Sequence, residues 1–142
     1  MARSRTMKLC DTSVLVDIDR GGIDDSVAKL DDEGRHAISA VTVTELRLGV
    51  NKRYADESTR QDALEDLERL FARFEIVEVD RAVATAAADI ISELQERGEP
   101  LHDLHDVYIG ATATVERLAV LTANVDHFDR MTDVAVVDWT AY

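Results

Sequence analysis

The sequence predicts an α/β fold in which a mostly parallel central sheet is covered by helices on both faces. Short apolar segments rich in branched residues alternate with longer segments of helical periodicity, and no run of hairpins separates them. With 142 residues, 46% of them hydrophobic, the chain is long enough to enclose one substantial core. We therefore expect a single domain over residues 1–142, with its core at about 7–139.

Five segments are predicted to be strands because they are short, apolar and rich in branched side chains. The strong ones cover residues 7–11, 75–79 and 118–123, and the weaker ones cover 36–40 and 134–139.

Helices are predicted between these strands, most clearly at 59–74, where apolar residues recur at helical spacing. A second long helix is expected to begin after Asp80, a suitable N-cap, and to end at Gly98, after which Pro100 is predicted to mark a turn. A third is expected at 101–118. Its apolar side is predicted to comprise Leu104, Val107, Tyr108, Ala111, Val115 and Leu118.

The composition limits the classes of partner and location. A formal net charge of −13 disfavours a nucleic-acid partner, because phosphate binding relies on basic surface. A cell with very high internal salt would remove this objection by screening long-range repulsion. Neither a membrane-spanning run nor the apolar stretch of a secretion signal is present, so we expect a cytoplasmic protein.

Acidic residues and an asparagine stand beside the predicted strands. Asp11 ends the first strand and Glu45 follows the 36–40 strand, whereas Asp103 and Asp106 lie near the start of the third helix. Asn124 and Asp126 come directly after the 118–123 strand. In an open α/β sheet, ligands gather beyond the carboxyl ends of the strands, so these residues are the candidates for a site.

Each candidate also has a structural explanation. Asp11 is suited to cap the following helix, as Thr12 or Ser13 would be. Glu45 follows Thr42 by three residues, which is the spacing of a capping box. First-turn aspartates complement the helix dipole, and Asn or Asp after a strand is common in turns.

Taken together, the acids favour a metal site, because converging carboxylates repel one another unless a cation lies between them. Ligation by oxygen alone favours Mg²⁺, with Mn²⁺ as the second possibility. The chemistry expected of such a site is metal-assisted attack on a phosphodiester.

Four motifs, in this order, resemble those of PIN-domain ribonucleases, in particular the VapC-type toxins of toxin–antitoxin pairs. They are "MKLCDTSVLVD", "ISAVTVTELRLGV", "GEPLHDLHDVYIGATA" and "LAVLTANVDHFDRM" followed by "VVDW". The resemblance spans about residues 7–139 and implies a three-layer α/β/α PIN-like fold.

The resemblance also implies roles for the candidate residues. The metal-binding and catalytic acids of the family fall on Asp11, Glu45 and Asp106. The fourth acidic position falls on Asn124, which carries no charge, so Asp126 is a candidate catalytic replacement. Accessory roles are expected for residues near these acids, namely Asp103, Asn124, Thr12 and Ser13.

The function implied is Mg²⁺-dependent endonucleolytic cleavage of single-stranded or structured RNA by a homodimeric toxin that a small cognate antitoxin neutralises. The alternatives are a housekeeping RNA-processing nuclease of the same family and a catalytically inactive binding or dimerisation module, which Asn124 favours. A transition-metal site made of His102, His105 and Asp106 is a further, less favoured alternative. Candidate cations for RNA are Arg47, Arg53, Arg117 and Arg130.

Overall fold

The computed structural model describes residues 6–99 and 103–142 and contains a five-stranded sheet in the order β3-β2-β1-β4-β5. All four strand pairings in it are parallel. The strands are β1 (Lys8–Cys10), β2 (Ala37–Ser39), β3 (Glu75–Val77), β4 (Ala119–Thr122) and β5 (Val136–Asp138). Each lies within a segment predicted to be a strand, and the predicted parallel α/β fold is confirmed.

Seven helices connect or follow the strands in the described part of the chain, and a short 3-10 turn closes it at Trp139–Ala141. The helices are α1 (Thr12–Arg20), α2 (Asp24–Asp32), α3 (Ala40–Arg53), α4 (Glu57–Phe71), α5 (Arg81–Glu96), α6 (Leu104–Glu116) and α7 (Val125–Asp129). None of these described helices is both long and apolar enough to cross a membrane.

The strand order reverses at β1, because β2 and β3 lie on one side of it and β4 and β5 on the other. Beyond the carboxyl ends of β1 and β4, the chains turn away in opposite directions and leave a crevice. Helix α6 runs back toward the start of β4, so its N-terminus also lies at this edge of the sheet. The topology therefore brings the residues after β1, after β4 and at the start of α6 together.

Alternation along the strands divides the core into two layers, one on each face of the sheet. Leu9, Ala37 and Val120 pack with α5, α6 and α7, whereas the following residues on the same strands, Cys10, Ile38 and Leu121, pack with α1, α2 and α4. The three-layer arrangement predicted for the chain is thereby confirmed.

The N- and C-terminal signals predicted for α5 are confirmed. The Asp80 carboxylate accepts a hydrogen bond from the Val83 amide at 2.9 Å, which satisfies one of the free amides of the first turn. After the helix ends, Gly98 adopts a φ of +69°, and its amide donates to the Gln95 carbonyl. A left-handed conformation of this kind is best tolerated by glycine.

The apolar side predicted for the 101–118 helix is partly wrong. Leu104 and Val115 are 47% and 36% exposed, whereas Ile109 and Ala113 are buried along with Val107. Helix α6 packs against the sheet and also against α5, so more than one of its faces is covered. A single stripe underestimates the burial of a helix that packs on two sides. Pro100, predicted to mark a turn, lies outside the described residues.

The capping box predicted at Thr42–Glu45 is also wrong. Helix α3 begins at Ala40, directly after β2, and its N-cap is Ser39, whose hydroxyl accepts from the Val41 amide at 3.1 Å. Glu45 therefore lies in the second turn of the helix, where its side chain is free to point at another element.

Candidate active site

A depression at the carboxyl edge of the sheet, here called the acidic depression, has a volume of about 320 Å³. Five elements or their flanking residues contribute to its wall. It is lined by Asp11, Thr12, Ser13, Val16, Asp17, Glu45, Asp103, Asp106, Ala123, Asn124 and His127. Most of the residues predicted for the site are therefore brought together.

Asp11 connects β1 to α1 and is held by donors on both sides. One carboxylate oxygen accepts from the Thr12 amide at 2.7 Å, so Asp11 does cap α1 as predicted. The other oxygen accepts from the Ser13 hydroxyl at 2.9 Å and from the Thr122 hydroxyl at 2.8 Å. Asp11 is only 4% exposed, and these bonds satisfy a carboxylate that burial would otherwise penalise.

Glu45 reaches the same depression from α3. Its Oε1 accepts a hydrogen bond from the Thr12 hydroxyl at 2.8 Å, and that hydroxyl lies 3.1 Å from the Thr42 hydroxyl. Thr12 thus connects α1 to α3 and fixes one oxygen of Glu45. The other oxygen, Oε2, lies 3.7 Å from the His105 ring.

Asp106 lies in the first turn of α6 and is buried. Its Oδ2 is 2.8 Å from Nδ1 of His127, which belongs to α7. His127 has no predicted role, although it stands in the quoted "LTANVDHFDRM" motif. Nothing in its spacing from Asp106, 21 residues along the chain, links the two.

Asp103 and His105 lie beside Glu45, and Asp103 also lines the depression. Asp103 is the N-cap of α6 and accepts from the His105 amide at 2.8 Å. Within the described ranges, Glu45, Asp103 and His105 are the one set of three metal-ligating side chains whose donor atoms all lie within 4.8 Å of one another. Asp11 and Asp106 line the same depression but lie outside this compact group.

The two residues expected near the fourth acidic position, Asn124 and Asp126, lie in different places. Asn124 lines the acidic depression, and its side chain makes no capping bond to α7. Asp126 does not line it but lines a neighbouring depression of about 270 Å³, to which Asn124 and His127 also contribute. The structure therefore does not bring Asp126 to the other predicted acids.

Burial and mutual repulsion raise the pKa of two of the acids. Burial is the main cause of the raised pKa of Glu45, and the charges of Asp11 and Asp103 also raise it. The Thr12 hydroxyl and His105 act in the opposite direction and lower it. The pKa of Asp106 is raised by burial and then by Asp103 and Asp11, against His127. Burial and neighbouring acids thus both disfavour the charged forms of Glu45 and Asp106.

Two members of the transition-metal set predicted as an alternative, His105 and Asp106, lie in the described residues and contact different partners. Asp106 contacts His127 rather than His105, and His105 lies beside Glu45 and Asp103 instead. His102 lies outside the described residues.

The predicted RNA-binding arginines divide between the two edges of the sheet. Arg117 follows the C-terminus of α6, at the edge opposite the acidic depression. It is close to the acidic motif in sequence, but the length of α6 separates the two in space. Arg47 and Arg53 lie on α3 with Glu45, and Arg47 lies 3.5 Å from Glu68. Arg130 follows α7, and its carbonyl accepts from Arg97.

A second depression adjoins the first and is here called the apolar groove. It has a volume of about 390 Å³ and lies between α1, α3 and α4. Its wall includes Leu15, Leu46, Val50 and Leu67, and Thr12 and Glu45 also line it. A chain segment lying in this groove would therefore reach the acidic depression.

Comparison with known proteins agrees with this architecture. A family model for the PIN domain matches residues 8–134. Ribonuclease VapC1 of Methanocaldococcus jannaschii is 31% identical over 123 residues, which cover 87% of this chain and 79% of the relative. Among solved structures, FitAcB from Neisseria gonorrhoeae has a TM-score of 0.80 at 31% identity and covers 96% of this chain and 100% of its own.

A further solved relative is VapBC-5 from Mycobacterium tuberculosis, a member of the VapBC family of toxin–antitoxin systems. It has a TM-score of 0.70 at 29% identity and covers 94% of this chain and 98% of its own. The chain belongs to the PIN-domain family, and within that family it is of the VapC type. The resemblance stated from the motifs is confirmed.

Proposed function

We propose that this protein is a metal-dependent endoribonuclease whose ion is held by Asp11, Glu45 and Asp106. One observation carries the proposal: acids from the end of β1, from α3 and from α6, remote in sequence, line one depression with raised pKa values at Glu45 and Asp106. A divalent cation would compensate this charge.

The donor set fits a hard cation. The three acids offer carboxylate oxygens, and Oε2 of Glu45 and Oδ1 of Asp106 are left over after the bonds to Thr12 and His127. Oxygen ligands of this kind suit Mg²⁺ and Mn²⁺. When bound, such an ion activates water near neutral pH and stabilises the leaving oxyanion.

The remaining residues of the depression orient these acids or face the substrate. Thr12, Ser13 and Thr122 donate to Glu45 or Asp11 and hold both carboxylates in place. Asn124 offers an uncharged amide at the position of the fourth acid, where it would orient water. Asp103 adds charge beside Glu45, and Asp126 has no role in this proposal.

RNA is the proposed substrate, and its support is the name of a relative, a ribonuclease that is 31% identical to this chain. The protein would then act in the cytoplasm, where RNA is available. Arg47, Arg53 and Arg130, on or next to elements that line the acidic depression, are the candidates for phosphate contacts.

The test is cleavage of a single-stranded RNA by the purified protein in Mg²⁺ or Mn²⁺, at low and at molar salt. We expect cleavage that a chelator stops and that Asp11→Asn or Asp106→Asn lowers by about 100-fold or more. Asp129→Asn is the matched control, because Asp129 is an exposed aspartate of α7 that does not line the depression. Thermal unfolding checks that each variant folds.

Intact RNA with the wild-type protein under all of these conditions would reject the nuclease. If an antitoxin still bound that protein, the result would favour the inactive binding module predicted as an alternative from Asn124.

We also propose that a small antitoxin neutralises the protein by lying in the apolar groove and that the protein is a homodimer. The antitoxin is supported by a solved relative that belongs to a toxin–antitoxin family and by Glu45, which lines both the groove and the acidic depression. A bound segment would thus block the site.

Co-expression with the neighbouring reading frame tests this, because an antitoxin should co-purify with the wild type and suppress RNA cleavage. Leu46→Glu in the groove should weaken that complex, whereas unaltered co-purification would argue against the groove.

A further inference from the structure

We propose that His127 is a positioning residue for Asp106, which its imidazole holds by one carboxylate oxygen so that the other oxygen faces the acidic depression. The inference rests on the proposed function, because it assumes that Asp106 is a metal ligand. It adds a residue that belongs to neither the acids nor the hydroxyls described so far.

The contact is short and joins two separate elements. Nδ1 of His127 on α7 lies 2.8 Å from Oδ2 of Asp106 on α6. Helix α7 is anchored beneath this contact, because the side chain of Phe128 is fully buried and the His127 amide donates to the Asn124 carbonyl at 3.1 Å. The imidazole is therefore presented to Asp106 by a packed element rather than by a free loop.

The chemistry of the pair defines the direction of the bond. An ionised carboxylate only accepts hydrogen bonds, so Nδ1 of His127 carries the proton and donates. The Asp106 side chain is 12% exposed, against 55% for His127, so the carboxylate is the desolvated partner and gains most from a donor. With Oδ2 held in this way, Oδ1 is the oxygen left to bind a cation.

The same arrangement recurs at the other two acids. Thr12 on α1 donates to Glu45 on α3, and Thr122 on β4 donates to Asp11 after β1. His127 supplies the equivalent donor for Asp106, from α7 to α6. Each proposed ligand is thus oriented by a side chain from a different element, as metal-ligating carboxylates require.

The experiment measures Mn²⁺ affinity by calorimetry at one fixed, mildly alkaline pH. We expect His127→Ala to weaken binding about 10- to 100-fold, the usual effect of losing a partner that orients a ligand. His127→Asn should restore most of the affinity, because its amide nitrogen takes the place of Nδ1. Asp129→Ala, on the exposed side of the same helix, is the matched control and should bind as the wild type does.

A second readout separates positioning from a general loss of structure. In RNA cleavage, His127→Ala should raise the Mn²⁺ concentration needed for half-maximal rate, while kcat at saturating Mn²⁺ returns toward that of the wild type. Thermal unfolding of the metal-free variant should match that of Asp129→Ala.

The outcomes distinguish this inference from the function on which it rests. If Asp106→Asn loses Mn²⁺ while His127→Ala binds it as the wild type does, the positioning role is overturned and the metal site stands. Equal weakening in His127→Ala and His127→Asn would also overturn it. Undiminished binding by Asp106→Asn would overturn the proposed metal site and this inference with it.

Discussion

Individual residues in this protein serve the fold and the site at once. Asp11 caps α1 through the Thr12 amide and also accepts from Ser13 and Thr122 inside the acidic depression. The two interpretations weighed from the sequence, helix cap and site residue, are therefore compatible. Structural capping of a helix does not exclude a carboxylate from ligation, because each oxygen can accept more than one bond.

Residue patterns predicted some of the site and missed the rest for identifiable reasons. Glu45 was open to a capping interpretation because the observed N-cap of α3, Ser39, lies three residues before Thr42. Helix ends are the least certain feature of such predictions. His127 was missed because only the packing of α7 against α6 brings it to Asp106, and no periodicity reports such a contact.

His36 carries a pH-dependent part of the stability. Its Nδ1 accepts from the Lys8 amide at 3.0 Å, and its Nε2 donates to the Leu30 carbonyl at 2.9 Å, so the buried ring is neutral. Burial lowers the pKa of His36 below its ordinary value. As the pH falls through the ordinary value near 6.5, the unfolded chain takes up the proton first, and stability is lost.

We expect this loss to reach at most about 1.4 kcal/mol per pH unit, and urea denaturation from pH 8 down to about pH 5 measures it. His36→Gln is the comparison, because its amide can still donate to Leu30 but does not titrate. The wild-type curve should approach that of the variant as the pH falls. Parallel curves would show that His36 does not contribute.

Helices and strands were predicted correctly where the local sequence determines them. All five strands of the described residues lie in predicted segments, because short branched apolar runs have few alternatives in a chain of this kind. The burial of α6 was not predictable from its own stripe, because it depends on α5 packing against its second side. Gly110 marks how closely α6 is packed, since a Cβ there would lie 2.6 Å from Sδ of Met131.

Two helical glycines make a matched pair for this packing. Gly49 on α3 has open space around it, so Gly49→Ala should stabilise the protein by up to about 1 kcal/mol through helix propensity. Gly110→Ala must displace the buried Met131, which should cost about 1–3 kcal/mol of stability. This cost opposes the gain from helix propensity. Urea denaturation should therefore find Gly110→Ala the less stable variant, and equal stabilities would contradict the close packing.

At the scale of the whole molecule, the surface is dominated by acids. The formal net charge of −13 reflects 29 acidic residues against 16 lysines and arginines. Self-repulsion of such a charge disfavours the compact state and opposes the approach of RNA. Composition alone disfavours a nucleic-acid partner. Membership of the PIN-domain family shows the class of protein despite this charge.

Salt should therefore stabilise the fold. Raising KCl from about 0.1 M to about 1 M shortens the screening length from about 10 Å to about 3 Å, so the Tm of the wild type should rise. A variant in which the exposed Asp62, Glu65 and Asp89 are replaced by their amides should gain less. A Tm that is flat or falls with KCl would contradict a destabilising role for the surface charge.

The position of a bound divalent ion tests the proposed site most directly, and anomalous diffraction from a crystal soaked in Mn²⁺ measures it. We expect density in the acidic depression at about 2.1–2.2 Å from oxygens of Asp11, Glu45 and Asp106. Density confined to Glu45, Asp103 and His105, or none in the depression at saturating Mn²⁺, would contradict it.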